Sequence, residues 1–172
     1  EIIAGSDIMI LPGVGSFGRA MQVLRERGID QAIHSAVIDN GAKILGICLG
    51  MQLLGSSSTE GGDTQGLDLI ANSVERFSPA ELGGAKIPHV GFNAINFSEE
   101  AGLFQDLPNS SDFYFTHSYR MLIENFKGRY AICSYGIDFL AAFELDNICG
   151  TQFHPEKSQT NGLILLKNFL EI

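Results

Sequence analysis

The sequence predicts an α/β fold in which a mostly parallel central sheet is flanked by helices and followed by an antiparallel β portion. In the first half of the 172-residue chain, short apolar runs alternate with helical patterns, which favours parallel strands joined by helices. The second half mixes turn residues with aromatic and other strand-forming residues, which is typical of an antiparallel meander. The length suits one domain spanning residues 1–172 with a full hydrophobic core.

The first half predicts a strand, two helices, a second strand and a third helix, at residues 7–11, 17–27, 30–40, 43–47 and 48–54. The first helix is amphipathic, with Phe17, Met21 and Leu24 facing the core. Gly41 is placed to cap the end of the second helix, because glycine readily adopts the left-handed conformation found there. This alternation is the basis for the parallel part of the sheet.

A glycine-rich loop at residues 58–66 separates this part from a series of shorter β segments. These are a strand pair, a turn-rich strand, an aromatic strand and an antiparallel meander, at residues 67–77, 83–97, 112–121 and 130–155. The last predicted element is a helix over residues 162–172, in which Leu163, Leu166 and Phe169 or Leu170 form one apolar stripe.

Composition and charge argue against several classes of function. Charged residues make up 18% of the chain, below the roughly 25% of an average soluble domain, which suits buried strands or a surface covered by a partner. The net charge of −9 argues against a nucleic-acid binder. No apolar run approaches the ~20 residues of a membrane span, and no signal peptide is recognised. The three cysteines lack the spacing of a disulfide framework, so a reducing cytoplasm is the expected location.

Glycines follow the first predicted strand in the spacing of a dinucleotide-binding loop. Gly13, Gly15 and Gly18 match G-x-G-x-x-G between a strand and a helix. A nucleotide site of this kind also needs a second strand that ends in an acidic residue about 20 residues later. The residues past the helix have a helical pattern instead. A nucleotide-dependent oxidoreductase is therefore the weaker alternative, and tight NAD binding would revive it.

The second predicted strand ends at a cysteine flanked by glycines. The stretch "GICLG" at residues 46–50 is the cysteine version of the G-x-S-x-G nucleophile elbow. Such a turn exposes the Cys48 sulfur at the end of a strand and the start of a helix, where the thiolate is favoured. It also places the N–H of Leu49 to donate to a developing oxyanion. The competing interpretation is an inert core cysteine.

The stretch "QFHPEKS" supplies a base and a group to orient it. Because His154 precedes a proline, its backbone is pushed towards an extended conformation, in which alternate residues point to the same side. Glu156 can then orient one ring nitrogen of His154 while the other faces the thiol, which is the logic of a catalytic triad. We predict no metal site, because the metal-binding spacings are absent, and we expect His89 and His117 to be packed or hydrogen-bonded.

Together these residues resemble class I, triad-type glutamine amidotransferases, and within that family the glutaminases of imidazole glycerol phosphate synthase. The resemblance is carried by stretches at residues 10–21, 43–54, 86–97, 113–120 and 150–169. It implies a flavodoxin-like fold. The family normally begins with a further strand and helix ahead of the segment at which this sequence opens, so these elements are expected to be missing.

The resemblance implies a complete set of site residues and no cofactor. Cys48 would attack the side-chain amide carbon of L-glutamine, with His154 as base and Glu156 as its orienting group. Leu49 and the Gly13–Val14 peptide would supply the oxyanion donors. The amino-acid end of glutamine would be held by four further residues, Gln52, Glu60, Ser118 and Tyr119.

The resemblance also implies a partner. The ammonia would pass to a separate (β/α)8-barrel cyclase subunit, in a heterodimer that makes imidazole glycerol phosphate in histidine biosynthesis in the cytoplasm. Residues expected to face this subunit are Lys157, Phe92, Tyr114 and His89. Phe92 stands where the family usually has tryptophan, which keeps an aromatic surface without the indole N–H. Two alternatives are a glutaminase of the anthranilate or pyridoxal phosphate synthase type and a truncated, non-catalytic domain that binds a partner.

Overall fold

The computed structural model describes residues 2–97, 99–124 and 126–172. Within these ranges eleven strands form one mixed sheet. The strands are β1 (Ile8–Gly13), β2 (Lys43–Cys48), β3 (Gly55–Ser58), β4 (Thr64–Gln65), β5 (Ile70–Arg76), β6 (His89–Phe97), β7 (Ser111–His117), β8 (Tyr119–Met121), β9 (Arg129–Tyr135), β10 (Ile137–Leu145) and β11 (Ile148–Thr151). The α-helices are α1 (Phe17–Glu26), α2 (Ile29–His34), which continues into a π-helical segment at Ser35–Asp39, α3 (Leu49–Leu53) and α4 (Gln159–Glu171).

The main path through the sheet is β1-β2-β11-β10-β8-β5-β3-β4. Off this path, β9 pairs with β10, and β6 pairs with both β9 and β7. The predicted α/β class is confirmed. Parallel pairing among the described strands is confined to β1–β2, β2–β11 and β3–β5, so the sheet is more mixed than the sequence pattern suggests. None of the helices in the described ranges is long and apolar enough to cross a membrane.

Strand β2 occupies the position that builds the site. It lies between β1 and β11 and runs parallel to both, and only its first residue, Lys43, is not fully buried. The register pairs Ile47 of β2 with Thr151 of β11. Because parallel strands end at the same edge of a sheet, the residues that follow these two strands lie side by side.

Two apolar clusters cover the opposite faces of the sheet. Ile44 belongs to the cluster that includes α1 and α3, and Leu45 belongs to the cluster that includes α4 and the aromatic strand β7. Consecutive strand residues point to opposite faces, so these clusters form separate layers of the core. As predicted, Phe17 and Met21 of α1 are buried.

Two details of the predicted elements are wrong. Residues 67–77 contain a single strand, β5, rather than a strand pair, and it pairs with β3 and β8. In α4 the core face is formed by Leu165 and Phe169, whereas Leu163 is 69% exposed. The reason is Gly162, where an added Cβ would lie 1.8 Å from the carbonyl oxygen of Pro155, so this close backbone contact sets which face of α4 packs inward.

Candidate active site

A strained turn carries Cys48 from β2 into α3. Its φ of 52° and ψ of −110° are unusual for a residue with a side chain, and such strain is concentrated at functional sites. Glycine is required on both sides of this turn. A Cβ at Gly46 would lie 2.6 Å from Cα of Met51, and a Cβ at Gly50 would lie 1.7 Å from the carbonyl oxygen of Leu11. The strand, turn and helix of a nucleophile elbow are therefore present at Cys48.

The sulfur of Cys48 is enclosed, with its residue 8% exposed. Sγ lies 4.0 Å from the carbonyl oxygen of Thr116, and Nε2 of Gln152 lies 3.7 Å from Sγ. Burial raises the pKa of Cys48 to about 11, and the hydrogen bond from the backbone N–H of Leu49 opposes this only in part. The resting side chain is therefore a thiol at neutral pH, and attack on a substrate needs a base to remove its proton.

His154 and Glu156 are joined by a hydrogen bond directly after β11. Nδ1 of His154 lies 2.7 Å from Oε1 of Glu156, and the backbone N–H of His154 donates to the carbonyl oxygen of Tyr114 at 2.9 Å. His154 is extended, with φ −98° and ψ 97°, and the short turn Pro155–Lys157 begins after it. Because the carboxylate accepts from Nδ1–H, the basic lone pair lies on Nε2, which is buried and has no hydrogen-bond partner within the described residues.

A cavity of about 390 Å³ opens in front of Cys48. Eight of the residues expected from the sequence line it: Val14, Cys48, Leu49, Gln52, Glu60, Ser118, Tyr119 and His154. Glu156 lies behind His154 rather than in the lining. The lining also includes Gly15 of the loop after β1, together with Pro88, Thr116 and His117, three residues to which the sequence analysis gave no role at the site.

The Gly13–Val14 peptide lies next to the start of α3. Gly13 pairs with Cys48 in the β1–β2 register, and a Cβ at Gly13 would lie 3.1 Å from Cβ of Leu49. Val14 is exposed and borders the cavity, and Gly15 has a φ of 106°, which favours glycine. The two backbone segments expected to supply oxyanion donors therefore approach each other at the mouth of the site.

Two of the expected substrate-binding residues also hold the site together. Both N–H groups of Gln52 are used within the protein, because Nε2 donates to the carbonyl oxygen of Tyr119 at 3.0 Å and to Oε1 of Gln152 at 2.9 Å. Glu60 accepts a hydrogen bond from the backbone N–H of Phe17 at 2.6 Å. These contacts leave Oε1 of each residue without a hydrogen bond among the described residues and near the cavity.

Gln152 and His117 are two polar residues of the site that sequence reasoning did not assign to it. Gln152 is 0% exposed and contacts both Cys48 and Gln52. Strand alternation could have identified it, because Gln152 lies two positions before His154 and so points to the same side in an extended segment. His117 is buried and hydrogen-bonded to His89, in agreement with the prediction that both histidines are packed or hydrogen-bonded.

Three of the four residues expected to face a partner form an exposed cluster. Phe92 is 52% exposed, its ring centroid lies 5.5 Å from that of Tyr114, and Nζ of Lys157 lies 5.8 Å from the centroid of Tyr114. The expectation that His89 faces outward is wrong. Its side chain is 2% exposed because the ring stacks between Phe115 and Tyr135, with centroid distances of 4.7 and 3.9 Å.

The described residues contain no group of three His, Cys, Asp or Glu side chains that could hold a metal ion. Cys133 and Cys149 are buried free thiols, and burial raises the pKa of each to about 12. Within the described part of the chain, Cys48 is therefore the cysteine that combines a cavity, a strained turn and a nearby imidazole.

Comparisons with known proteins agree with this geometry. The chain matches the family model for class I glutamine amidotransferases over residues 1–172. It is 44% identical over 172 residues to imidazole glycerol phosphate synthase subunit HisH of Moorella thermoacetica, covering 100% of this chain and 79% of that protein. It is 46% identical over 164 residues to the subunit of the same name from Sulfurimonas denitrificans, covering 95% of this chain and 78% of that protein. A crystal structure of a glutamine amidotransferase matches with a TM-score of 0.66 at 18% identity, covering 96% of this chain and 78% of the other, which supports the fold.

Proposed function

This chain belongs to the class I glutamine amidotransferases, and we propose that it is the glutaminase subunit of an imidazole glycerol phosphate synthase. It hydrolyses L-glutamine to L-glutamate and ammonia. The observation that carries the proposal is the meeting of Cys48 and His154 at one cavity, after the adjacent parallel strands β2 and β11. The identity of over 40% to synthase subunits along the whole chain selects this subunit within the family.

The reaction begins with proton transfer from the thiol. Nε2 of His154 accepts the proton of Cys48, and the sulfur attacks the side-chain amide carbon of glutamine. A base is needed because burial keeps the pKa of Cys48 at about 11. Glu156 holds His154 by its hydrogen bond at Nδ1 and stabilises the imidazolium that forms.

The tetrahedral intermediate carries a negative oxygen, which needs donors. The N–H of Leu49 is one donor and the Gly13–Val14 peptide supplies the second. His154 then gives its proton to the departing ammonia, and a glutamyl thioester remains on Cys48. Water, deprotonated by His154, attacks the thioester carbonyl, and the products are glutamate and the free thiol.

Polar groups around the cavity hold the amino-acid end of glutamine. The carboxylate of Glu60 suits the α-ammonium group, because an acceptor with a full charge matches a cation. Oε1 of Gln52 is a second acceptor, while Ser118 and Tyr119 contribute mainly through their backbone. These four residues border the same cavity as Cys48, which supports a single binding site for one amino acid.

A partner subunit receives the ammonia. The relatives are named as subunits of a synthase, so the chain works with a second subunit, which we propose to be a (β/α)8-barrel cyclase in a heterodimer. The exposed cluster of Phe92, Tyr114 and Lys157 is the proposed contact surface, because aromatic side chains are enriched at protein interfaces. We place this heterodimer in the cytoplasm and regard residues 1–172 as one amidotransferase domain.

Replacing the nucleophile tests this proposal. In the complex with a cyclase, Cys48→Ala should abolish glutamate release from glutamine, while synthesis from added ammonia continues. Cys133→Ala removes a buried thiol that does not line the cavity and serves as the matched control, with activity retained. Glutamate release that persists in Cys48→Ala contradicts the mechanism. Lack of release in the unmodified chain, even with the cyclase bound, favours the non-catalytic alternative, and coupling to another synthase favours a sister glutaminase.

A further inference from the structure

The side chain of Gln152 reaches the sulfur of Cys48 from inside the protein. Its backbone N–H donates to the carbonyl oxygen of Ala141 at 2.8 Å, which holds the backbone of Gln152 in place just after β11. The side chain is fully buried, and its Nε2 lies 3.7 Å from Sγ of Cys48. The triad and the oxyanion donors give this amide no role, although it contacts the reacting atom.

The orientation of the Gln152 amide follows from its neighbours. The carbonyl oxygen of Tyr119 can only accept a hydrogen bond, so the atom of Gln52 that faces it at 3.0 Å is the NH₂ nitrogen. The second N–H of that nitrogen points to Gln152 at 2.9 Å, so the atom there is the acceptor Oε1. The NH₂ group of Gln152 is therefore turned towards the sulfur.

A pair of buried histidines provides a second hydrogen bond to the carbonyl oxygen of Tyr119. Nδ1 of His117 lies 2.8 Å from this oxygen and must carry a hydrogen, so Nε2 of His117 accepts from Nδ1 of His89 at 3.1 Å. Burial lowers the pKa of His117 to about 3 and that of His89 to about 4. Both rings are neutral near pH 7. The hydrogen bonds from His89 to His117 and from His117 to the carbonyl oxygen of Tyr119 therefore each have one direction.

We infer that Gln152 is a further catalytic residue of this glutaminase, whose Nε2–H donates a hydrogen bond to the sulfur of Cys48 and favours the thiolate while His154 removes the proton. The S–H bond breaks, its proton moves to Nε2 of His154 and its electron pair stays on sulfur, whereas Gln152 keeps its own proton. A buried anion without a donor is costly, and a hydrogen bond to an ionised acceptor is stronger than one to a neutral acceptor. Gln52 and the Tyr119 carbonyl act as positioning groups. This inference rests on the proposed function and adds a residue to that reaction.

The thiol itself provides the test. The full chain is treated with iodoacetamide between pH 7 and pH 10.5, and alkylation of Cys48 is followed by mass spectrometry of its peptide. In Gln152→Met, which keeps the length of the side chain but removes the donor, the alkylation rate at pH 8 should fall about tenfold, which corresponds to an increase of about one unit in the pKa of Cys48. The matched control is Thr151→Val, which removes an equally buried hydrogen bond, to the carbonyl oxygen of Phe153, without contacting the sulfur.

The outcomes separate the inference from the proposed function. An unchanged alkylation profile in a folded Gln152→Met, or an equal loss in Thr151→Val, overturns the role of Gln152. If Gln152→Met does not fold, Gln152→Asn retains the amide but is one methylene too short to reach the sulfur. A wild-type rate of Cys48 alkylation in Gln152→Asn would also overturn the role of Gln152. Glutamate release is measured on the same samples, so its absence in the unmodified chain counts against the proposed function without affecting the thiol measurement.

Discussion

The carboxylate of Glu60 accepts a hydrogen bond from the backbone N–H of Phe17 at 2.6 Å, although the two residues lie 43 positions apart. Ser16 precedes helix α1 but makes no side-chain capping bond, so Glu60 satisfies an N–H at the start of the helix instead. Val14, Gly15 and Glu60 all border the cavity. One carboxylate therefore joins the loop before α1, which we propose carries an oxyanion donor, to the segment around Glu60.

Glu60→Gln separates the hydrogen bond to Phe17 from the proposed binding of the α-ammonium group of the substrate. The glutamine side chain retains an oxygen that accepts from Phe17 but loses the charge that matches the α-ammonium group of the substrate. We expect KM for glutamine to rise at least about tenfold with little change in Tm, since a hydrogen bond to a charged group contributes about 1.5–3 kcal/mol. Glu60→Ala should raise KM and also lower the stability by about 1 kcal/mol through loss of the cap. An unchanged KM in Glu60→Gln would exclude Glu60 as the ammonium-binding residue.

Glu156→Gln should slow the reaction without stopping it. The amide oxygen can still accept from Nδ1 of His154, but it no longer balances the charge of the imidazolium. We expect kcat to fall about 100-fold, which is less than the complete loss expected for Cys48→Ala. Glutamate release in single-turnover experiments measures this difference. Glu171→Gln, on the exposed face of α4, is the control with the same chemical change and no expected effect. A variant as inactive as Cys48→Ala would give Glu156 a role beyond orientation.

Two glycine-to-alanine substitutions should have opposite effects on stability. At Gly50 an added methyl group overlaps the carbonyl oxygen of Leu11, so Gly50→Ala forces β1 and α3 apart and should cost about 3 kcal/mol or more of unfolding free energy. At Gly18, within α1, the nearest atom to an added Cβ is Oγ1 of Thr64 at 3.5 Å, an ordinary contact. Gly18→Ala should therefore stabilise the protein by up to about 1 kcal/mol through helix propensity. Urea unfolding of both variants measures the difference, and equal effects would contradict the elbow geometry.

The buried histidine pair makes stability depend on pH. The folded pKa values of about 3 for His117 and about 4 for His89 lie below the value of about 6.5 in an unfolded chain. The unfolded state therefore binds more protons below pH 6.5, and the unfolding free energy falls as the pH is lowered from there towards 4. Each histidine contributes a slope that approaches about 1.4 kcal/mol per pH unit near pH 5.

The control for this prediction is a variant that lacks one of the two imidazoles. Urea unfolding at pH 7.5, 6 and 5 is compared between the unmodified chain and His89→Gln, which keeps a donor for His117 but does not titrate. The slope between pH 6 and pH 5 should decrease by about one proton in the variant. Equal slopes would mean that His89 is protonated in the folded protein.

The residues that could be predicted from the sequence are those whose roles depend on neighbouring positions. The glycines around Cys48 indicate the elbow, and the proline between His154 and Glu156 favours the extended backbone that lets these two residues pair. Strand alternation places Gln152 on the same side as His154, but its contact with Cys48 could not be predicted from neighbouring positions, because it depends on β11 lying next to β2. The burial of His89 likewise depends on Tyr135 of β9, a strand distant in sequence. The core face of α4 depended on one backbone contact at Gly162, which no periodicity of Leu163 and Leu166 could reveal.

The position of β11 in the middle of the sheet also bears on how the enzyme is made. Cys48 and Gln152 are 104 positions apart in the sequence, and their contact requires β11 to insert between β2 and β10. Pairings of such long range form slowly, because closing the intervening loop costs entropy before any contact is gained. During synthesis on the ribosome, the elbow emerges well before His154, the proposed base. The nascent chain therefore carries a thiol without its base, and glutamine is not hydrolysed until β11 has been synthesised and has inserted between β2 and β10.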